Sequence, residues 1–410
     1  MPKLCILTQY FPPEMGAPQA RLSELGERLI DRGWEVEALT ALPNYPTGRV
    51  FDGYDPRRPV VETVGRIRAV RVPLYTSKGG FVRRVRSYFS FVRSAKKHGP
   101  RLAARPDLLW VESPPLFIGY AALCLARRWG CPYVFNVSDL WPESAIRMGV
   151  VRPGLLTALA SRLESKLYRR AAGVTGQSQE IIDGVLRAAP GTKTEVITNG
   201  VEPSRFGKGQ ATPEARALLG AGDGTDGENG PLFIFAGLLG LAQGLDQLLD
   251  LAKNSTCRTP PRFVLVGDGP CREHLEARIR DEGIRRVRLL PPQPREKIPA
   301  LLAAADGAVI SLGMSIPGAV PSKIYEAMAS ELPILLVADG EAARRVTAAE
   351  CGLVVAPGDA AGLADAACRL AGDPELRTRL GSAGRRAAET EYDRRRIAER
   401  LDRFLRERLL

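Results

Sequence analysis

What most constrains this chain is a regular exchange of short apolar runs with amphipathic stretches of helical period, met twice over. In the first 200 residues, positions 4–8, 35–40, 108–112, 133–137 and 173–175 read as buried strands. Between them, 19–31, 116–128 and 155–170 repeat apolar residues at helical spacing. In the first of these, Leu22, Leu25, Leu29 and Ile30 share a face and Gly33 stops the helix. Short strands alternating with helices predict a parallel sheet covered on both faces. The second half repeats the logic, with strands at 232–236, 262–266, 287–290, 307–311, 334–337 and 353–355. The expected fold class is α/β, with two doubly wound domains. A length of 410 residues suits two such domains.

The boundary is marked by composition. A short helix at 213–219 leads into a Gly/Asp-rich run at 220–230 that cannot pack and is expected to form a flexible surface loop. The boundary falls just before it, near Arg205, giving domains at 1–205 and 206–391. Residues 392–410 read as an arginine-rich amphipathic tail helix.

Charge divides along the same line. The net charge is +12, and residues 1–200 hold 29 Lys/Arg against 17 Asp/Glu, while the remainder balances 29 with 29. A basic half calls for an anionic partner: nucleic acid, a phosphorylated substrate or anionic lipid. The seven cysteines form no CxxC pair and are odd in number, which fits a reducing cytoplasm and argues against structural zinc. Two histidines, His98 and His274, leave no multi-histidine metal site. No signal peptide is evident, and no uncharged run reaches the roughly 18–20 residues of a membrane span, so the chain is expected to be soluble or at most peripheral.

Five stretches carry candidate chemistry, each with a plainer reading beside it. Tyr10 to Pro18 joins the first strand to a helix through Gly16, where a phosphate or sugar would approach the helix N-terminus; otherwise it is a proline-rich turn. Asn136 to Glu143 follows a buried strand and sets Asp139 and Glu143 beside Trp141, as a sugar site would; the same residues suit a helix cap with Pro142 in its first turn. Val266-Gly267-Asp268-Gly269-Pro270 permits close approach of a nucleoside, or is an ordinary strand-to-helix turn. From Gly318 to Ala329, a small-residue loop leads into a helix at Pro321 or Ser322. Lys323 would add a full charge for an anion, and Glu326 would accept from two adjacent hydroxyls; alternatively this is a capped helix with an early glutamate.

The fifth stretch is basic. Lys78 to Arg105 holds nine Lys/Arg and His98, and no acid occurs from Thr63 to Pro106. Phe81, Val85, Tyr88, Phe89 and Val92 fall on one helical face among Arg83, Arg84, Arg86, Arg93, Lys96 and Lys97. This reads as an interfacial helix on anionic lipid. The alternative is a core helix packed on its own domain.

Taken together, the motifs resemble the retaining glycosyltransferases of family 4, over essentially the whole chain. The supporting segments are residues 9–16, 138–144, 163–171, 198–201, 240–245, 266–270 and 320–326. Within that family the chain looks closest to the bacterial surface-polysaccharide branch that includes N-acetyl-L-fucosamine transferases. The resemblance implies a GT-B fold, two Rossmann-like domains facing across a cleft. It implies an acceptor in the N-terminal domain, a nucleotide-sugar donor in the C-terminal domain, and a tail helix returning to the N-terminal domain. Donor contacts would come from Gly16, Gly240, Gln243, Gly267, Gly269, Gly318, Ala319, Val320, Pro321 and Ser322. Asp139, Lys323 and Glu326 would be catalytic, with Glu326 on the ribose diol. Phe81, Arg83, Arg84, Tyr88, Phe89 and Arg93 would meet the acceptor or the membrane.

Three departures from the family pattern matter. The first glutamate of its E-x7-E pair is Gly318 here. The turn that often carries Arg and Lys is Gly237 to Gly244, with neither. A frequent histidine before the central aspartate is Ser138. Lys323 and backbone N–H groups would therefore carry more of the diphosphate charge. The implied reaction is transfer with retention, probing a UDP-sugar first and GDP second, with no metal or cofactor. An N-acetylamino sugar would pass to a lipid-linked glycan on the inner face of the membrane, or to a soluble natural-product acceptor. A UDP-sugar 2-epimerase is a rival poorly served by two histidines outside the motifs. A nucleic-acid binder would follow from the pI of about 9.6, but only one basic helix interleaves aromatics and no recognition motif appears. A dehydrogenase lacks its GxGxxG.

Overall fold

The computed structural model describes residues 1–76, 80–147, 149, 151–220, 230–313 and 317–409; the side chains of Ala17 and Phe81 lie outside that description. Also outside it are Lys78 and residues 221–229 of the expected loop. The chain divides into two units. The first comprises Met1–Asn199, Pro317–Ala319 and Arg395–Leu410, and the second Gly200–Ile316 and Val320–Arg394.

The first unit opens with β1 (Lys3–Leu7), α1 (Ala17–Asp31), β2 (Glu35–Ala41), β3 (Val60–Val64), β4 (Ile67–Val72) and α2 (Phe81–Leu102). It continues with β5 (Leu108–Ser113), α3 (Ile118–Trp129), β6 (Tyr133–Val137), α4 (Glu143–Arg147) and α5 (Leu155–Arg170). Then come β7 (Gly173–Gly176), α6 (Gln179–Ala188) and β8 (Thr194–Val196). The sheet order is β3-β4-β2-β1-β5-β6-β7-β8, parallel except for the β3–β4 hairpin. Side chains alternate faces along each strand. Leu4 and Ile6 join Leu22, Leu25 and Trp34 on one side, while Cys5 and Leu7 join Phe91, Leu125 and Leu167 on the other.

The hairpin escapes the apolar pattern because charge is paired inside it. Arg71 of β4 is fully buried, bonded to Glu62 of β3 and to the carbonyl of Pro12. The basic helix α2 also departs from the expected face. Its anchors are Phe91, Val92, Ala95 and Ser87, all buried, whereas Phe89 is 44% exposed and Val82 is 78% exposed. The stripe is thus rotated toward Phe91, and α2 docks on its own sheet while presenting Arg83, Arg84, Arg86 and Arg93 outward.

The second unit contains α7 (Pro213–Leu219), β9 (Leu232–Ala236), α8 (Asp246–Lys253), β10 (Arg262–Val266), α9 (Arg272–Asp281) and β11 (Val287–Leu290). After these come α10 (Ile298–Ala303), β12 (Gly307–Ser311), α11 (Ser322–Ala329), β13 (Ile334–Val337), α12 (Gly340–Ala348) and β14 (Gly352–Val355). Helices α13 (Ala360–Gly372) and α14 (Pro374–Thr390) complete it. Its sheet is wholly parallel, in the order β11-β10-β9-β12-β13-β14. The final helix, α15 (Arg394–Arg406), buries Ile397, Leu401, Phe404 and Leu405 in the core of the first unit. There Trp34 Nε1 donates to Asp402 at 2.6 Å.

One pairing runs against the cysteine reading. Cys257 and Cys368 form a disulfide that ties the segment after α8 to α13, while Cys5, Cys124, Cys131, Cys271 and Cys351 are free. Residues 111 apart in sequence carry no local spacing signal, so only the fold brings them together. Among the described residues, no helix is long and apolar enough to cross a membrane.

Candidate active site

Open α/β sheets bind ligands at the carboxyl ends of their strands, where the strand order reverses. In the first sheet that point lies between β1 and β5, and in the second between β9 and β12. Each point is occupied by a different kind of construction.

In the first unit, a buried polar network closes the strand ends. Glu112, at the end of β5, accepts from Arg21 at 2.6 Å and Asn136 at 2.6 Å, and from the Ser138 hydroxyl. Arg21 also donates to Asn199 at 3.0 Å and Ser138 at 2.9 Å, and Thr175 donates to Asn136 at 2.6 Å. Arg21 and Glu112 are 2% and 3% exposed, so the pair is out of water; the two terminal nitrogens of Arg21 are bonded, while its Nε has no partner among the described residues. The sequence reading missed both. A lone arginine on the apolar face of α1 and a glutamate ending an apolar strand were the available signals.

Beside this network lies an open cavity of about 730 Å³. It is lined by Thr8, Tyr10 and Gly16 from the β1–α1 turn, Tyr45 from the loop after β2, Arg84 and Tyr88 from α2, and Glu112 with Pro114. Three expected residues, Gly16, Arg84 and Tyr88, are thus brought together. Gly16 has φ of 171°, an extended backbone open to any residue, and a Cβ there would meet only the flexible Gln19 amide. Its glycine identity is not demanded by the turn. Gln19 is 5% exposed, lines the cavity, and its Oε1 has no partner among the described residues. The loop is held instead by Glu14, whose carboxylate accepts from the N–H groups of Asn44 and Tyr45 at 2.8 Å and of Phe11 at 3.1 Å.

Asp139 follows β6, outside that cavity's wall. It accepts from the Ser144 hydroxyl, a side-chain bond rather than a helix cap, and burial raises its carboxyl above the usual range against the Ser144 and Leu140 hydrogen bonds. Nearby, Glu164 is pushed to about 7 by burial, although Tyr168 donates to it at 2.7 Å.

In the second unit, backbone crosses backbone. The turn after β10 passes so close to the turn after β9 that a Cβ on Gly267 would lie 1.9 Å from the Gly237 oxygen. A Cβ on Gly269 would lie 2.4 Å from the Leu239 oxygen. Leu239 N–H donates to Asp268 O at 2.9 Å, and Arg272 clamps Gly267 O at 2.6 Å. The turn holding Gly240 and Gln243 is tied to β12: Gln243 Oε1 accepts from Gly240 N–H at 3.1 Å, and the Ser311 hydroxyl donates to Gln243 O.

Helix α11 brings the charge. It begins at Ser322 after Val320 and Pro321, at the position the sequence predicted. Lys323 Nζ lies 3.7 Å from the centroid of the Phe235 ring and packs over Gly237, where a Cβ would fall 2.6 Å from it. Among the described residues no carboxylate lies at ion-pair distance from this ammonium. Burial lowers its pKa to about 8, with Glu326 acting in the opposite direction. Glu326, one turn on, is raised by burial against the fields of Arg295, Arg394, Lys323 and Arg205. On one side it borders a cavity of about 50 Å³ walled by Arg205, Arg295 and Arg394. Gly318 has φ of +70° and, with Ala319, belongs to the first unit, where Ser178 donates to Gly318 O at 2.9 Å.

Comparison with known proteins decides what these constructions belong to. Residues 16–200 match the model of the glycosyl transferase 4-like domain, and 224–387 that of glycosyl transferases group 1. The D-inositol 3-phosphate glycosyltransferase of Frankia alni is 31% identical over 66% of this chain and 67% of its own. The chain belongs to the group 1 glycosyltransferases.

Other members of this glycosyltransferase group match more of its length. The putative colanic acid biosynthesis glycosyl transferase WcaI of Escherichia coli is 26% identical over 80% of this chain and 81% of its own. Among solved structures, the sucrose-phosphate synthase of Thermosynechococcus elongatus superposes with a TM-score of 0.77 at 19% identity, covering 99% of both chains. Anabaena HepE, solved in complex with UDP, gives a TM-score of 0.72 at 18% identity over 99% of this chain and 100% of its own. These likenesses establish the GT-B fold, two Rossmann-like α/β units with parallel sheets.

Proposed function

We propose that this glycosyltransferase moves an N-acetylamino sugar from a UDP-sugar to a lipid-linked glycan acceptor, with retention and without a metal. The observation that carries the donor half is Lys323: a cation with no carboxylate at ion-pair distance among the described residues, at the start of a helix, over a glycine that leaves the backbone open. Helix N-termini and such a cation suit a diphosphate. UDP is supported by HepE, which was solved with it. Gly267 and Gly269 would pass the base, Glu326 would take the ribose diol, and the 318–322 segment would meet the diphosphate and sugar.

Chemistry then follows from where charge develops. The bond from the anomeric carbon to the phosphate oxygen breaks, and Lys323 with the α11 N–H groups stabilises the departing UDP more than the bound donor. The acceptor oxygen bonds to the same face of the anomeric carbon, and its proton passes to the released phosphate. No protein nucleophile is required. Asp139 would orient the sugar near that carbon. The cavity beside Arg84 and Tyr88 would hold the acceptor, and the outward arginines of α2 would rest on the inner face of an anionic membrane.

The polysaccharide setting and the N-acetylfucosamine branch are supported by WcaI, whose name places it in colanic acid biosynthesis, and by the motif match. A nucleotide-sugar panel tests the reading directly. UDP release should appear with one UDP-N-acetylamino sugar, persist in EDTA, and yield a product whose anomeric coupling matches the donor. Release only from GDP-sugars, or inversion, would overturn it.

A further inference from the structure

Three leucines at the start of α5 have no part in the chemistry above. Leu155, Leu156 and Leu159 are 75%, 79% and 50% exposed, while the same helix buries Leu163 and Leu167 against the sheet. A cluster of this kind on an otherwise packed unit marks an interaction surface.

Its surroundings define the partner. Helices α2, α3 and α5 pack on one face of the first sheet, and each runs into the start of a strand. Their N-terminal ends therefore gather at the carboxyl edge. Leu167 of α5 fills the space beside Gly119 near the start of α3, where a Cβ would lie 2.2 Å from it. From Leu155 to that contact the helix rises about 18 Å, so the leucines project past the start of α3. The same unit carries an aromatic row: Phe89 of α2 lies 4.7 Å from Phe117, which lies 5.6 Å from Trp141.

Charge makes the choice among partners. Residues 143–180 hold six Lys/Arg against three acids; Glu143 pairs with Arg147, Glu180 lies on α6, and α5 itself carries one acid, Glu164. That acid is 8% exposed and already bonded to Tyr168, so it neutralises nothing at the surface. Arg152, Arg162 and Lys166 are exposed around the leucines. A second copy of this chain would bring like charges face to face. An anionic bilayer accepts both the leucines and the cations.

We infer that α5 is a membrane anchor: Leu155, Leu156 and Leu159 enter the acyl boundary of an anionic bilayer while Arg152, Arg162 and Lys166 meet its headgroup phosphates. Together with α2 it makes two anchors on one face, and stable peripheral binding generally takes two signals. The count of two anchors rests on the membrane reading of α2 proposed above, whereas the role of α5 stands on its own leucines and does not depend on donor or acceptor identity.

Co-sedimentation of the full chain with vesicles tests it, using phosphatidylcholine alone and equal parts phosphatidylcholine and phosphatidylglycerol. Wild type should bind the anionic vesicles. The triple variant Leu155→Ser, Leu156→Ser, Leu159→Ser should bind about tenfold more weakly, with unchanged melting temperature and unchanged UDP release from donor alone. In a separate variant, Leu156→Trp should add a fluorescence signal that brominated lipid quenches. Vesicle binding by the triple variant equal to wild type, or Leu156→Trp emission indifferent to brominated lipid, overturns the inference. So does a wild-type dimer that the triple variant renders monomeric without any vesicle dependence, since a second copy would then cover the leucines.

Discussion

The two sheets end in opposite ways. At the carboxyl edge of the first, the buried cation Arg21 is consumed internally, by Glu112, Ser138 and Asn199. At the same edge of the second, Lys323 faces an aromatic ring, with no carboxylate at ion-pair distance among the described residues. One cation is architecture, and the other is held available. The same residue class at the carboxyl edges of two doubly wound units thus answers different needs, and the difference lies in whether a carboxylate sits at ion-pair distance among the described residues.

Removing each cation should separate these roles. The largest effect is expected for Arg21→Met, which strands a buried carboxylate and should cost about 3–5 kcal/mol, read as a fall in the urea midpoint or as lost soluble protein. If stability drops by less than about 1 kcal/mol, the contrast between the edges fails. Lys323→Met should do the reverse. Transfer should fall by about 10²–10³-fold, near 3–4 kcal/mol in the barrier, while the urea midpoint holds or rises, because a desolvated charge has gone.

Gly267→Ala sharpens the second half of the comparison. Its new Cβ meets the Gly237 oxygen, so the two turns must part, at about 1–3 kcal/mol, and UDP affinity measured by calorimetry should weaken with it. The pH dependence is next. Lys323 in the free protein is charged below about 8 and loses its proton above it. UDP affinity should therefore be flat below that pH and fall above it, by at most about tenfold per pH unit. Lys323→Arg should flatten the profile. The smallest effect is expected at the first edge: Arg84→Ala should raise acceptor KM roughly fivefold, about 1 kcal/mol, with donor KM unchanged.

The sequence carried the second unit almost strand by strand, because β9 and β13 are uninterrupted apolar runs and β10, β11 and β12 are apolar but for Arg262, Arg288 and Ser311. It carried α5, α7 and the start of α11 for the same reason, periodicity bounded by breakers. The β3–β4 hairpin was hidden because Glu62 and Arg71 break the apolar pattern and neutralise each other only once paired. In the candidate site, Lys323 and Glu326 were legible from a local motif. Arg21 and Glu112 were not, since they lie 91 residues apart and meet only in the folded sheet. The rotation of α2 toward Phe91 was equally invisible, because Phe89 and Phe91 are alike in chemistry and only packing chooses between them. Gly16 was legible as a turn before a helix, but its extended backbone could be adopted by any residue, so its conformation adds nothing to that signal.

The last helix gives the chain a timetable. Ile397, Leu401, Phe404 and Leu405 fill the same core as Leu22, Leu25 and Trp34 of the opening residues. During synthesis the first unit must wait, one groove unfilled, while the whole of the second is translated. For that interval Trp34 and its neighbours are uncovered, a standing invitation to chaperones or to aggregation. A stalled ribosome anywhere in the second unit would leave the first not merely alone but incomplete.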